Sequence, residues 1–510
     1  MDSDEAWRRV EGTVEHSPLT RCQQAVLTWL AVAVFVGLAI IVVVYILTAS
    51  ANVVFSDTWS LVPLLGHMLA GRVSPGEFWA GVRHNENREV LLTALLYLSA
   101  RFAHLNLQAV KMLSVLFSSL SLALLALAYL RQERSARWTV LVLLIPVAGL
   151  LFSLNQWENW LEAFNTVHFL AITFAVGATV FLEFEWPLAL VLVLGVLSTF
   201  SSAEGLVVWP VLAVQAAMRR EFRRVSYVLS VGMITVAVYL HGLGAKGSPL
   251  FLAHHLRYSL HFLLVVLGNT VFGFFDNQPN LVLDGVAGAI LLGFCCWTVV
   301  ESLWSAREES GSRVAFSVTL FGLGVAALIT EGRAPLGLAM AAASRYSTIT
   351  VGAAVGPYLF FVFGKSRAPT RWLLTGGLLT LITVGGVSGA WTEMHLGRDR
   401  LAYFQSLRKV LLTGDYSDRT LAAFLWPPNV VRQGIPVLKE YHLNVFWVGE
   451  GPARGTSLPL VCPGSGITAS MTVESRLIGC HRSDFLLPSG SMPVISFRRA
   501  SGVPAPRGTS

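Results

Sequence analysis

The chain has 510 residues, 54% of them apolar and 13% charged, with a formal net charge of +7. A soluble domain carries about 25% charged residues, so this composition excludes a soluble globular enzyme and indicates a membrane protein. The positive charge sits in short loops between apolar runs, where it orients helices and meets anionic headgroups, which argues against a nucleic-acid partner.

Residues 1–24 form a polar segment with Arg8, Arg9 and Arg21, placed in the cytoplasm. The first apolar run, about 25–47, is too long for a signal-peptide core and reads as a signal anchor that crosses outward. A long outer segment, 49–106, follows. Further crossings are expected near 107–130, 138–154, 166–184, 187–203, 205–218, 225–243, 280–304, 314–331, 347–364 and 371–392. The total is eleven spans, or thirteen if the apolar stretches 90–105 and 256–275 also cross. Eleven places Arg131, Arg134, Arg137, Arg219, Arg220, Arg223, Arg224, Arg307, Arg313, Lys365, Arg367 and Arg371 all inside, as the positive-inside rule requires. Both ambiguous stretches then lie at the outer interface. Either odd count puts the C-terminus outside. The expected organisation is an all-α polytopic membrane protein of the plasma membrane, with a transmembrane domain over 25–392 and an extracytoplasmic region over 393–510. That region opens with mixed-charge amphipathic sequence, for example 398–412, turns rich in Gly, Pro and Ser, and is disordered at its end.

Cys22, Cys295 and Cys296 read as small residues in or beside apolar runs. Cys462 and Cys480 lie in the outer tail, where a disulfide is permitted. No spacing suggests zinc, and no solenoid-type repeat is present.

With this topology the clustered polar residues all face outward. The first outer loop holds FSDTW (55–59) and RHNENRE (83–89). The second holds NQWENWLEAFN (155–165) and the third SSAEG (201–205). The fourth holds HHLRY (254–258), with FFDNQPN (274–280) nearby, and the fifth runs from Gly332 and Arg333 to Tyr346. Acidic groups this close to hydrocarbon are costly and usually have partners or a task. Asp57 reads equally as an N-cap of the next helix or as a carboxylate base. His84, Glu86 and Arg88 read as a solvated turn or as a functional cluster. An aromatic belt accounts for Trp157 and Trp160 but not for Gln156, Glu158 and Asn159. Glu204 has no positive neighbour in sequence and lines a cavity on this reading. Arg257, Arg333 and Arg345 are exceptions to the inside bias, suiting either a local anion such as phosphate or simple snorkelling. Walker, GxGxxG, HExxH and GxSxG patterns are absent. No DxD pair occurs in the first outer loop, so no metal site is expected.

FSDTW with HNENR, FSLNQWENWLEAF, FSSAEGLVVWP and GR…SRYST together resemble a group of uncharacterised bacterial multispanning proteins, itself similar to the GT-C glycosyltransferases. The motifs run from about Phe55 to Thr350. This chain departs from the group at Asn87, where the group carries His, and in PLGLAMAAASRY (335–346), where it carries an acidic or amide residue. The resemblance implies a GT-C-like fold and transfer of a sugar from a polyprenyl-phosphate donor to an extracytoplasmic glycan, lipid or protein acceptor. Asp57 would be the general base of an inverting reaction. Arg88, Arg257, Arg333 or Arg345 would stabilise the departing lipid phosphate. Trp59, Trp157 and Trp160 would stack on sugar or lipid, and His84, Glu86, Glu158 and Glu204 would complete the substrate site. No cofactor is implied, since the lipid-linked sugar is a substrate. A flippase for lipid-linked saccharide, or a non-catalytic protein of envelope assembly, stays open beside it.

Overall fold

A computed structural model describes residues 20–84, 87–132, 137–243, 251–272, 274–275, 278–305, 310–364 and 371–447. Glu86, Arg134, Arg307, Lys365, Arg367, Cys462 and Cys480 lie outside the described residues. The chain divides into two units, Met1–Phe275 with Pro279–Gly451 and Asp276–Gln278 with Pro452–Ser510; of the second, only Gln278 is described.

The main unit is helical almost throughout. Helix α1 (Arg21–Ala49) begins at a capping box: Gln23 N–H donates to Thr20 Oγ1 at 3.3 Å, and Thr20 N–H donates to Gln23 Oε1 at 2.9 Å. Within the outer segment, a 3-10 turn (Ser56–Ser60) leads into α2 (Val62–Leu69) and α3 (Pro75–Gly81). Ser74 and Glu77 start α3 with a second capping box. Strands β1 (Arg83–His84) and β2 (Asn87–Arg88) pair antiparallel, with Arg83 opposite Arg88 and His84 opposite Asn87. Helix α4 (Val90–Ala103) closes the segment.

Then come α5 (Leu107–Gln132), α6 (Arg137–Leu143), α7 (Ile145–Leu151) and α8 (Trp157–Leu161). Pro146, in the first turn of α7, lacks the N–H that continuation from α6 would need, so the helix breaks at Leu144. Helices α9 (Thr166–Glu183), α10 (Leu188–Ser201), α11 (Val208–Met218) and α12 (Phe222–Leu240) form the middle of the chain. They are followed by α13 (Phe251–His254), α14 (Leu256–Asn269), α15 (Leu281–Ser305), α16 (Ser310–Arg333), α17 (Arg345–Ile349) and α18 (Gly352–Phe363). The last elements are α19 (Arg371–Thr413), α20 (Asp418–Leu421) and α21 (Pro428–Glu440).

Among the described residues, nine helical segments are long and apolar enough to cross a membrane. They are Arg21–Ala49, Leu107–Gln132, Arg137–Leu161, Thr166–Glu183, Phe222–Leu240, Leu281–Trp304, Gly311–Leu336, Arg345–Phe363 and Arg371–Thr413. The segment α9 and the α17–α18 pair are the most buried, whereas α1, α12 and α19 turn most of their surface outward. Contact between α16 and α18 is close because a Cβ at Gly322 would collide with the Ala353 backbone, and one at Gly356 with Thr319.

Two expected crossings, 187–203 and 205–218, fall below that length. They correspond to α10, with 14 residues, and to a 3-10 turn (Ala203–Val207) running into α11. The second nevertheless runs the height of α9. At one end Glu204 Oε1 meets His168 Nδ1 at 3.2 Å, and at the other Arg219 Nη1 meets Glu183 Oε1 at 3.4 Å. The ambiguous stretches 90–105 and 256–275 form α4 and α14, each of 14 residues. Such helices, like α10, are about 21 Å long, short of a hydrocarbon core of about 30 Å, so length alone does not decide which of them cross.

Helix α19 passes through residue 393, where the outer region was expected to begin, without a break for 43 residues. Exposed Trp372 and Trp391 stand about 28 Å apart along its axis at ~1.5 Å per residue, the separation of the two interfaces of a bilayer. Its second half continues as the same rod past that length. A buried pair fixes this continuation: Arg400 Nη2 and Nε donate to the two Glu393 oxygens at 2.7 Å each, and Tyr45 Oη of α1 donates to Glu393 at 2.7 Å.

Candidate functional site

The segment carrying Asp57 is held from three sides. Phe55 packs edge-on against Phe404 at 5.2 Å and Tyr403 at 5.9 Å, both on the second half of α19. Lys111 of α5 donates from Nζ to Ser50 Oγ at 3.1 Å and to the Ala51 carbonyl at 3.2 Å. Ser56 takes a left-handed backbone, φ 48°, which is strained for a residue with a Cβ. The group that answers this strain is Glu162: its Oε1 accepts the Asp57 N–H at 3.2 Å, and its carboxyl also bonds the Ser56 hydroxyl. Asn165 Nδ2 donates to Glu162 Oε2 at 3.4 Å.

Opposite Asp57 stands His84 of β1, with Nε2 3.5 Å from Asp57 Oδ2. Its Nδ1 lies 3.0 Å from Ser60 Oγ, and Ser60 Oγ donates its one proton to the Asp57 carbonyl at 2.7 Å. Ser60 can then only accept from the ring, so Nδ1 carries a hydrogen and Nε2 is the edge facing Asp57. The ring sits between Phe164 at 4.8 Å and Trp426 at 5.2 Å. The imidazole is buried, whereas Asp57 keeps about a quarter of its side-chain surface open.

The two neighbouring carboxyls are driven in opposite directions. Burial pushes the Asp57 carboxyl up, but the hydrogen bond and charge of His84 outweigh it, with Arg345 and Arg333 adding to the effect, and hold it below the usual carboxylate range. Burial, then the charges of Asp57 and Glu158, raise Glu162 well above that range, against the opposing Arg345. Two neighbouring acids whose hold on a proton is driven apart are the arrangement that proton-transfer sites use.

Glu158 caps the fifth outer loop. Its Oε2 accepts the Arg345 N–H at 3.0 Å and the Ser344 hydroxyl at 3.3 Å, fixing the start of α17. Behind it, Thr348 Oγ1 donates to Gln156 Oε1 at 2.6 Å, and Asn159 Nδ2 donates to the Arg345 carbonyl at 2.9 Å. The polar residues between the tryptophans thus join the second outer loop to the fifth. Trp160 is fully buried and donates from Nε1 to the Ser153 carbonyl at 2.9 Å.

The other expected site residues are placed as follows. Arg345 and Arg333 act on Asp57, as above. Arg88 is buried and spends its guanidinium on carbonyls, donating to Tyr239 O and Trp79 O at 2.7 Å each and also to His241 O, while lying 4.1 Å over the Trp79 ring. It therefore ties the first outer loop to the end of α12. Trp59 is fully buried, edge-on to Phe424 at 5.5 Å and against Gly434 of α21. Trp157 lies beneath the Arg400 guanidinium, 3.3 Å from the ring centroid. Glu204, which has no positive neighbour in sequence, meets His168 across α9. Arg257 is exposed on α14. Glu86 lies outside the described residues.

Four residues of this end escaped the sequence reading. Glu162 and Glu89 stood inside quoted motifs as plain members of a polar run. His168 sits in an apolar stretch with no local partner. Trp426 belongs to a C-terminal region that carries no motif; its one signal is an aromatic followed by Pro427 and Pro428, which fix the turn that swings it over His84. Among the described residues, no group of three or more His, Cys, Asp or Glu is placed to hold a metal ion. No family model, no curated protein and no solved structure matches the chain.

Proposed function

We propose that the protein is an inverting membrane glycosyltransferase that moves a sugar from a polyprenyl-phosphate donor to an extracytoplasmic acceptor, with Asp57 as general base. The observation that carries this reading is the Asp57–His84 pair backed by Glu162: an ionised, partly open carboxylate held at a fixed position next to an imidazole edge. As the acceptor hydroxyl attacks the anomeric carbon, its proton passes to Asp57 and the new C–O bond forms. The bond from the anomeric carbon to the phosphate oxygen breaks, and the polyprenyl phosphate leaves with the electron pair. The proton comes to rest on Asp57. Arg345 and Arg333 are the cations best placed to meet the departing phosphate, since both act on Asp57.

On this reading the arginine-bearing end faces the cytoplasm, the Asp57 end faces out, and α10 and α11 join the nine longer segments as crossings ten and eleven. A transporter reading is less well supported. Buried charges such as Lys111 and Glu183 sit near helix ends, and midway between them the bundle is tied by neutral pairs such as Ser121 and Thr173, 2.8 Å apart.

The test is a deletion strain complemented with the wild type or with Asp57→Asn at equal expression, with lipid-linked sugars and envelope glycans compared. Asp57→Asn is expected to accumulate the polyprenyl donor and to lose roughly 10²–10⁴-fold in rate, the usual worth of a general base. Full complementation by Asp57→Asn would overturn the assignment.

A further inference from the structure

The three tryptophans expected to stack on sugar or lipid are all committed elsewhere. Trp59 and Trp160 are fully buried, and Trp157 lies beneath Arg400. The proposed transfer still needs a surface that grips its acceptor, because attack requires a hydroxyl held at Asp57 in one orientation. A different aromatic ring stands at that place.

Residues 422–428, after α19, form a strap pinned at three points. Tyr403 Oη of α19 donates to the Ala423 carbonyl, Phe424 packs edge-on against Trp59 at 5.5 Å, and Trp426 lies over His84 at 5.2 Å with the rings inclined by 31°. Trp59 belongs to the turn that carries Asp57, and His84 is the ring that faces it. Between Phe424 and Trp426, Leu425 takes a left-handed backbone, φ 53°, and stays exposed. A residue with a Cβ is strained there, and such strain gathers where a protein acts.

Phe424 is fully buried, as a packing residue is. Trp426 keeps part of its indole open to solvent. His84 covers one face of it, so the open surface is turned away from the imidazole. Its Nε1 is out of solvent and has no hydrogen-bond partner, whereas Trp160 Nε1 is bonded to the Ser153 carbonyl at 2.9 Å. Ring contact alone holds Trp426, and it carries a donor that no described residue uses.

A part-open indole, a buried imidazole and a carboxylate with a quarter of its side chain open thus follow one another at 5.2 and 3.5 Å. A sugar suits that grouping. The C–H face of its ring is apolar and stacks on an aromatic, while its hydroxyls find polar partners alongside. An aliphatic chain would leave Asp57 and the indole N–H unanswered, and an anion would be repelled by Asp57.

We infer that Trp426 is the platform on which a sugar unit of the acceptor stacks beside Asp57, so that the acceptor is a glycan. Calling that sugar the acceptor rests on the transferase reading, in which Arg345 and Arg333 take the donor's phosphate; sugar binding at Trp426 does not.

Hydroxyl-radical footprinting reads the indole directly. Full-length protein in detergent is oxidised with and without the methyl glycosides of glucose, galactose, mannose and arabinose, and each tryptophan is followed by peptide mass spectrometry. Trp447, also partly open and stacked on a histidine (His104, at 4.8 Å), controls for scavenging of radicals by the sugars. Trp426 is expected to oxidise, and at least one glycoside to lower its oxidation several-fold relative to Trp447. A Trp426 that resists oxidation, or equal losses at both tryptophans with all four glycosides, overturns the inference. Trp426→Phe and Trp426→Leu form the second arm, read as the rise in Tm that the protecting glycoside gives. Phe keeps a stacking face and is expected to keep the rise. Leu is expected to need roughly tenfold more glycoside for the same rise, as loss of one aromatic contact implies. A Leu variant that responds like the wild type would show that the indole does not hold the sugar. Asp57→Asn separates the two readings. Protection of Trp426 together with full complementation by Asp57→Asn removes the transferase and keeps the platform. Donor accumulation without protection does the reverse.

Discussion

The two ends of the helical bundle are built from the same residue types and treat them differently. At the Glu183 end, Arg313 donates to both Glu183 oxygens, at 2.7 and 3.2 Å, and Gln215 Nε2 donates to Oε2 at 3.3 Å. Arg219 adds a bond to the Glu183 carbonyl at 2.5 Å and pairs with Glu185 at 2.6 Å and Glu221 at 2.9 Å. At the Asp57 end, Glu89 retains buried carboxyl oxygens with no partner, and Ser56 holds a strained backbone. The Glu183 carboxylate itself is fully paired and binds helices together, although Gln215 Oε1 beside it is buried without a hydrogen-bond partner. An incompletely paired one costs stability, and such costs concentrate where a protein acts.

The sharpest way to break the comparison is at the paired end. Glu183→Leu leaves Arg313 and Arg219 without their buried counter-charge and is expected to cost about 3–5 kcal/mol, seen as a large fall in Tm of the purified protein. Asp57→Asn should cost far less stability than that, only its pairing with His84, while activity collapses. If both variants lost stability alike, the division into scaffold and site would fail. Next in size is the pH response of Glu162. Its carboxyl is raised in the folded protein, so its contribution to stability is full below the ordinary carboxylate range and is lost as pH rises through the raised value. Asp57 has the opposite sign, contributing above the ordinary range and losing that contribution on acidification. Glu162→Gln should therefore flatten the loss of stability on the alkaline side only; an unchanged pH–stability curve would show that Glu162 is not a raised acid. Trp426→Ala removes the ring over His84 and should cost about 0.5–1.5 kcal/mol in stability, with a measurable change in the pH–rate profile. The smallest effect belongs to Leu425, exposed and left-handed at φ 53°. Leu425→Gly relieves that conformation and should be neutral or stabilising by up to about 1 kcal/mol in a thermal melt.

The helical class, the membrane character and most segment boundaries were legible because apolar runs and arginine loops are local signals. So was the grouping of Asp57, His84, Glu158 and Arg345, since each lies in a polar cluster between runs. What connects them was not legible. The Glu204–His168 and Asp57–Glu162 contacts join residues 36 and 105 positions apart in the chain, and neither partner's immediate sequence points to the other. Arg88 and Trp59 look like binding residues in a loop, yet the chain uses both as packing, because backbone carbonyls at the end of α12 and the face of α21 happen to lie against them. The helix runs on through residue 393, where the outer region was expected to begin, because polarity rises there but no proline interrupts it, and Gly389 and Gly397 do not end it.

That uninterrupted rod also orders the protein's birth. Phe404, Phe424 and Trp426, which wall and roof the Asp57 segment, are translated after the last membrane crossing, whereas Asp57 leaves the ribosome after the first. The carboxylate therefore waits through the synthesis of the whole bundle before its surroundings are complete, and a nascent chain stopped before residue 393 lacks the residues that close the site.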